Sequence, residues 1–229
     1  MTTSFDPFGD FETMGYLRNT MGAKDPQKVK TFEHATFLLN LPLTLDWLAT
    51  QSLTYDTLLQ VHQRLFADFY PWAGQDRLTV LPDTTVKKGE IVFANPEEIE
   101  SAVVEALKQK ASSDVLSQLA FAHPFLDGNG RAIFVLFAEH QRRHKKLVRF
   151  DHISKGDLGH ALGKSIAGHP QQLSKILHDH TVRFPFATPD GERVSRVFSA
   201  IDWSGDGRIT AYEAQPTLLH KIVSRFTKR

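Results

Sequence analysis

The chain has no cysteine in its 229 residues, which excludes disulfides and thiolate metal sites without deciding the compartment. It also lacks an excess of either charge. Against 26 Asp+Glu stand 27 Lys+Arg, a formal net charge of +1, so general attraction to nucleic acid or anionic lipid is not the expected mode of action. Only the last ten residues are locally basic, through His220, Lys221, Arg225, Lys228 and Arg229. No run approaches the roughly 18 apolar residues of a membrane span. The start, MTTSFDPFGDFE, is acidic where a signal peptide is basic and then apolar. Neither internal repeats nor low-complexity tracts occur. The expectation is a soluble protein made in the cytoplasm, with no nucleic-acid partner and no membrane span, and with specialised export as an effector left open.

What is present favours helices. Leu58, Leu59, Val61, Leu65 and Phe66 recur at helical spacing, as do Ile99, Val103, Val104 and Leu107 after the start signal Asn95-Pro96. Further helices are expected over 114–122, 129–146, 155–166 and 170–182. The main strand-like stretch is RLTVLPDTTVKKGEIVFA, where Leu78–Leu81 and Ile91–Phe93 flank a polar turn and predict a β-hairpin. The segment FPFATPDG, residues 184–191, breaks the helical pattern with two prolines and a glycine. A boundary there divides the chain into residues 1–184 and a small unit over 185–229.

Chemistry concentrates in HPFLDGNGRAIF, residues 123–134. One helix leads into His123 and a second leaves at Gly130, so the loop ends at a helix N-terminus, where outward N–H groups and glycines make an anion site. Phosphate is the natural guest. Asp127 is placed to hold a Mg²⁺ that bridges phosphate oxygens, since Mg²⁺ at nucleotide sites takes one or two carboxylates plus phosphate and water. Arg131 suits the non-transferred phosphates, and the Asn129 amide can donate to the phosphate under attack. His123 has the right ordinary pKa to take a proton from an attacking hydroxyl. A lone DGNG would be no more than a polar turn half the time; the full string implies transfer of a phosphate-containing group from a nucleotide to a hydroxyl.

His123-Pro124-Phe125-Leu126-Asp127-Gly128-Asn129-Gly130-Arg131 resembles the signature loop of Fic-domain proteins, His-x-Phe-x-Asp/Glu-Gly-Asn-Gly-Arg-x-x-Arg. GYLRNTMGAKDPQKV resembles the family's opening segment, and LLQVHQRLFADFYPWAGQDR its helix ending in Trp-Ala-Gly. The likeness covers about residues 15–180. It implies a mainly α fold, a helical bundle with a β-hairpin flap beside the active loop, and Mg²⁺-dependent transfer of AMP from ATP to a Ser, Thr or Tyr hydroxyl of a target protein. It also implies roles: His123 as base, Asp127 as Mg²⁺ ligand, Gly128, Asn129 and Gly130 as α-phosphate cradle, Arg131 as β-phosphate contact, Phe125 as buried anchor. The target would dock by strand pairing on the flap at 78–93, with Val86, Lys87 and Lys88 near its tip. Two lysines there equally serve to protect an edge strand.

Phe134 departs from the pattern. The family's second arginine falls there, and an apolar ring makes no charge-assisted bond to a γ-phosphate. The donor is therefore open between ATP and UTP, CDP-choline, or ATP bound in reverse for a kinase reaction. Phe134 also fits simply as part of the IFVLF core face. The inhibitory pattern Ser/Thr-x-x-x-Glu-Gly/Asn, whose glutamate pairs with that arginine, has only near misses, Ser101…Glu105-Ala106 and Thr188…Glu192-Arg193, so self-inhibition by that route is not expected.

A second motif lies past the boundary. DWSGDGRITAYE matches a twelve-residue EF-hand loop: Asp202, Ser204, Asp206, Arg208 through its backbone carbonyl, Thr210 and Glu213 as Ca²⁺ ligands, with Gly207 at the sharp turn. Val194, Val197, Phe198 and Ile201 form the apolar face of an entering helix, and Leu218, Leu219, Ile222, Val223 and Phe226 that of a leaving one. Pro216 interrupts the latter after its first turn. A single loop of this kind must pack on the catalytic domain or on a partner. A different class of reading follows from it, a Ca²⁺-dependent protein-binding module without catalysis; the retention of His123, Asp127, Asn129 and Arg131 argues against that. His140 and His144 have the spacing of a zinc pair but lack a third ligand.

Overall fold

The computed structural model describes residues 18–83, 85–88 and 91–183, and every structural statement below concerns these. The boundary at residue 184 and the loop 202–213 lie outside them.

Helix α1, Pro26–Leu48, starts where the Asp25 carboxylate accepts the Lys28 N–H at 2.8 Å, with proline in its first turn. Its inner row, Val29, Glu33, Phe37, Leu41 and Leu45, repeats every fourth residue and is buried throughout. Helix α2, Tyr55–Phe66, is capped by Thr54 and buries Leu58, Val61, His62, Leu65 and Phe66. These two helices pack together, and both meet α6, Asn129–Arg143, the helix that leaves the loop. Around that frame, α4, Ile99–Lys108, packs on α5, Ser112–Ala122, and α5 on α7, Lys155–Ile166, and α8, Gln171–Asp179. Phe37, Phe66, Phe69, Tyr70, Trp72, Phe125 and Phe137 sit in one core. No helix among the described residues is long and apolar enough to cross a membrane.

The hairpin is smaller than the sequence predicts. Leu78 and its neighbours are not a strand but the short helix α3, Arg77–Val80, because Asp76 caps it: its carboxylate accepts the Thr79 N–H at 2.8 Å and the Thr79 hydroxyl at 2.7 Å. The flap begins only at Lys87. Strands β1, Lys87–Lys88, and β2, Ile91–Val92, pair antiparallel, and the Phe93 N–H donates to the Val86 carbonyl at 3.0 Å. Val86 is buried rather than at the tip. The other correction is at the end of α6. The helix stops at Arg143, Lys145 takes a left-handed turn, and β3, Lys146–Val148, pairs with β4, Thr181–Arg183, where a continuing helix was expected on both sides.

Candidate active site

The loop 123–128 and the first turn of α6 are held by tertiary contacts on their inner side. Asn129 closes the loop on itself: its Oδ1 accepts the Phe125 N–H at 2.8 Å and its Nδ2 donates to the Phe125 carbonyl at 2.7 Å. That uses one of two N–H bonds on Nδ2. Phe125 is fully buried and stacks on His62, ring centroids 3.8 Å apart. The His62 ring is fixed at both nitrogens. Nδ1 accepts the Gly74 N–H at 2.9 Å, so Nε2 carries the hydrogen and donates to the Asp127 carbonyl at 2.9 Å. Burial holds this imidazole neutral, down to about 3.

Gly128 has to be glycine for two independent reasons. Its φ is +74°, and a Cβ there would lie 2.7 Å from the Phe66 ring and 3.1 Å from His62 Nε2. Gly130 differs: it is exposed, and a Cβ would meet nothing within 4 Å. The outer face of the first turn of α6 is therefore uncovered at Gly130.

The residues that could act lie on this loop and turn. His123 ends α5 in a left-handed conformation, φ 42°, which aims the loop away from the helix axis. Its ring stacks on Phe93 at the base of the flap, centroids 3.9 Å apart. Burial, with the Arg77 and Lys88 cations, pushes the imidazole down to about 3, so it is neutral and, without a nearby negative charge, a weak base. Arg77 itself is entirely buried. Its Nε donates to the His123 carbonyl at 2.7 Å and its Nη2 to the Ala94 carbonyl at 2.6 Å, and its backbone N–H donates to Pro124 at 2.7 Å. One guanidinium thus ties the start of the loop to the end of the flap.

Asp127 stands two residues before the first residue of α6. Its Oδ1 accepts the Gly128 N–H at 2.7 Å and its Oδ2 the Tyr70 hydroxyl at 3.3 Å. Burial and the neighbouring Glu33 push its carboxyl up to about 7. Arg131 turns inward, ion-paired to Glu33 of α1 and lying over the Phe66 ring at 4.8 Å. Phe134 packs against Phe150 at 4.9 Å, so the residue at the second arginine position is partly buried against the core.

The structure therefore brings His123, Asp127, Gly128, Asn129, Gly130 and Arg131 around one helix terminus. It adds Glu33, His62, Tyr70 and Arg77, which the sequence reading does not single out. Two of these carry a signal in the sequence. Glu33 and His62 are the polar members of otherwise apolar rows, Val29-Glu33-Phe37-Leu41 and Leu58-His62-Phe66, and a polar group on a core face needs a partner. Among the described residues no group of three or more His, Cys, Asp or Glu side chains gathers into a metal centre. A single hard carboxylate beside an anion-binding helix terminus does fit Mg²⁺ held jointly with phosphate and water.

A model of the Fic/DOC family matches residues 52–140. Protein adenylyltransferase VbhT of Bartonella schoenbuchensis is 25% identical over 198 residues, 79% of this chain and 40% of that protein. Protein y4lH of Sinorhizobium fredii, named a probable protein adenylyltransferase, is 30% identical over 136 residues, 52% of this chain and 67% of that protein. Two crystal structures share the fold. BepC of Bartonella tribocorum with bound AMPPNP has a TM-score of 0.58 at 22% identity, covering 73% of this chain and 92% of that one. The N-terminal Fic domain of a VirB-translocated Bep effector of Bartonella quintana with bound ADP has 0.62 at 18% identity, covering 76% and 94%.

Proposed function

This chain belongs to the Fic/DOC family, and on that premise we propose that it transfers AMP from ATP to a Ser, Thr or Tyr hydroxyl of a target protein. The observation that carries this reading is a neutral His123 at the start of the loop and the Asp127 carboxyl just before α6, in a loop that Asn129 locks from beneath and that leads to an exposed Gly130. The names of the two curated relatives, of which VbhT is spanned over less than half its length, and the nucleotides bound to proteins of the same fold point the same way.

In this mechanism the target oxygen attacks the α-phosphorus, the bond between the α-phosphorus and the α–β bridging oxygen breaks, and pyrophosphate leaves. His123 takes the hydroxyl proton; the negative charge of a bound triphosphate raises its basicity toward the working pH. The N–H groups of Asn129 and Gly130 receive the α-phosphate oxygens, joined by that of Gly128 once Asp127, which accepts it at 2.7 Å, releases it. Arg131 meets the β-phosphate after leaving, or sharing, its pair with Glu33. Asp127 would hold Mg²⁺, which would supply positive charge to offset the negative charge of the leaving phosphates. The target segment pairs with the flap over 86–93, a shorter edge than 78–93.

Phe134 favours a second reading of the donor. With an aromatic ring packed on Phe150 where a γ-phosphate arginine would stand, the site carries less to distinguish ATP from UTP, CDP-choline or ATP bound in reverse. The same residue removes the partner of an inhibitory glutamate, so the full chain is expected to be active without removal of any segment. At the C-terminus, Asp202, Ser204, Asp206, the Arg208 carbonyl, Thr210 and Glu213 are proposed to bind Ca²⁺, and calorimetric titration of the wild type against Glu213→Gln checks it.

To test the transfer, the protein and His123→Ala are incubated with Mg²⁺, a target extract and each donor in turn, and adduct masses are read. Gain of one AMP on a hydroxyl residue, dependent on His123, is the expected result. A His123-dependent adduct from another donor replaces ATP in the reading, and absence of any such adduct overturns it in favour of a binding module.

A further inference from the structure

Helix α1 is apolar on two sides. Its inner row is core, yet Leu39 is 77% exposed, Leu43 71% and Phe32 38%. With Ala35 and Pro42, both also exposed, they form one stripe at positions 32, 35, 39, 42 and 43, about 17 Å long at 1.5 Å per residue. A helix that is apolar all round is normally covered all round. We propose that this stripe is the docking face for the chain's own C-terminal segment, residues 185–229, seated through the apolar row Val194, Val197, Phe198 and Ile201.

The place where the described chain ends favours this occupant. Strand β4 finishes at Arg183, which pairs with Lys146. Three residues before Lys146, the Arg143 guanidinium donates to the carbonyls of Leu48 and Gln51, at the C-terminal end of α1. The described chain thus ends against β3, which follows directly on the end of α6 that is tied to the C-terminal end of α1. Ten intervening residues reach at most roughly 35 Å, ample for Val194 to meet Leu43 or Leu39. The row 194–201 has the spacing of one helix face and needs a cover of its own.

The size of the stripe points to a tethered occupant. Three partly exposed large side chains offer on the order of a few hundred Å², well under the ~800 Å² per partner of a stable interface between separate molecules. A segment already joined to the domain needs no such area, because the linker raises its local concentration to about the millimolar range. Residues 1–17 are tethered too, but Pro7 and Gly9 interrupt their phenylalanines and leave no continuous helical row. A consequence follows for the active site: α1 also carries Glu33, so the docked segment sits on the helix that holds Arg131.

The absence of cysteine makes the test clean. In the full chain, Leu39→Cys or Leu43→Cys is combined in turn with Val194→Cys, Val197→Cys and Ile201→Cys, and Lys164→Cys on α7 with the same three serves as control. On mild oxidation of dilute protein, at least one stripe pair is expected to form an intramolecular disulfide about tenfold faster than any control pair. A linked dimer, which would mark a second copy as the occupant, or no advantage over the controls overturns the proposal. Leu39→Asp with Leu43→Asp gives a second reading, since both sites are exposed and the fold tolerates them. Tryptic cleavage within 185–229 should accelerate about tenfold at unchanged unfolding midpoint; an unchanged cleavage rate also overturns it.

Discussion

The two sides of the loop 123–131 are built from different chemistry. The inner side is complete: Asn129 is bonded through both atoms of its amide, His62 through both nitrogens, and Gly128 is pressed against Phe66 and His62. The outer side is unfinished. Gly130 faces open space, Asp127 holds its proton more tightly than an ordinary carboxylate, and the His123 imidazole is neutral beside two cations. The inner residues fix a backbone, and the outer ones present groups whose charge is left for a ligand to balance. Much of what identifies the motif in a sequence is thus scaffolding for a smaller set that does chemistry.

Substitutions should separate the two sides. The largest loss of stability is expected from Gly128→Ala, where a left-handed φ and a 2.7 Å contact with Phe66 act together, about 3–5 kcal/mol. Gly130→Ala, in the same motif but on the outer side, should cost less than about 1 kcal/mol, and chemical denaturation of the pair checks the contrast. Next comes Asn129→Ala, which strands the Phe125 N–H and carbonyl in a buried position and should cost about 2–4 kcal/mol.

Asp127→Asn should run the other way. The folded pKa, about 7, lies above the ordinary 3.8, so the folded state binds the proton more tightly and the charged form opposes folding. That penalty is absent below about pH 4, grows between pH 4 and 7, and is full above pH 7. In Mg²⁺-free buffer the variant is therefore expected to be more stable than the wild type by about 1–3 kcal/mol at pH 8 and equal to it at pH 4. It should also lose transfer, which marks the carboxylate as kept for function at the expense of the fold.

The sequence makes the helices and the motif legible because each rests on local signals: apolar rows, caps, and a run of nine informative residues. Phe125 as buried anchor follows from the motif's resemblance and is found buried, while Phe134, read from its IFVLF row, is partly buried and packs against the core beside Phe150. The false strand at Leu78–Leu81 shows the limit of alternation, since an Asp76 cap decided four residues that β propensity favoured. The short pairing of β3 with β4 was hidden because two three-residue strands leave no period to read. Glu33 and Arg131 are ninety-eight positions apart and Arg77 and His123 forty-six, so their pairing is a product of packing. What the sequence offered was only the oddity of a charge on a buried row.

The most direct test of the division between the two sides is His123→Asn, chosen because asparagine tolerates the left-handed backbone that His123 adopts. Unfolding midpoint and adduct formation are measured on the same preparation, beside the wild type. The account predicts a midpoint within a few degrees of wild type and transfer slowed by about 10²–10⁴-fold. Transfer retained at the wild-type rate, or lost only in step with the fold, would contradict it.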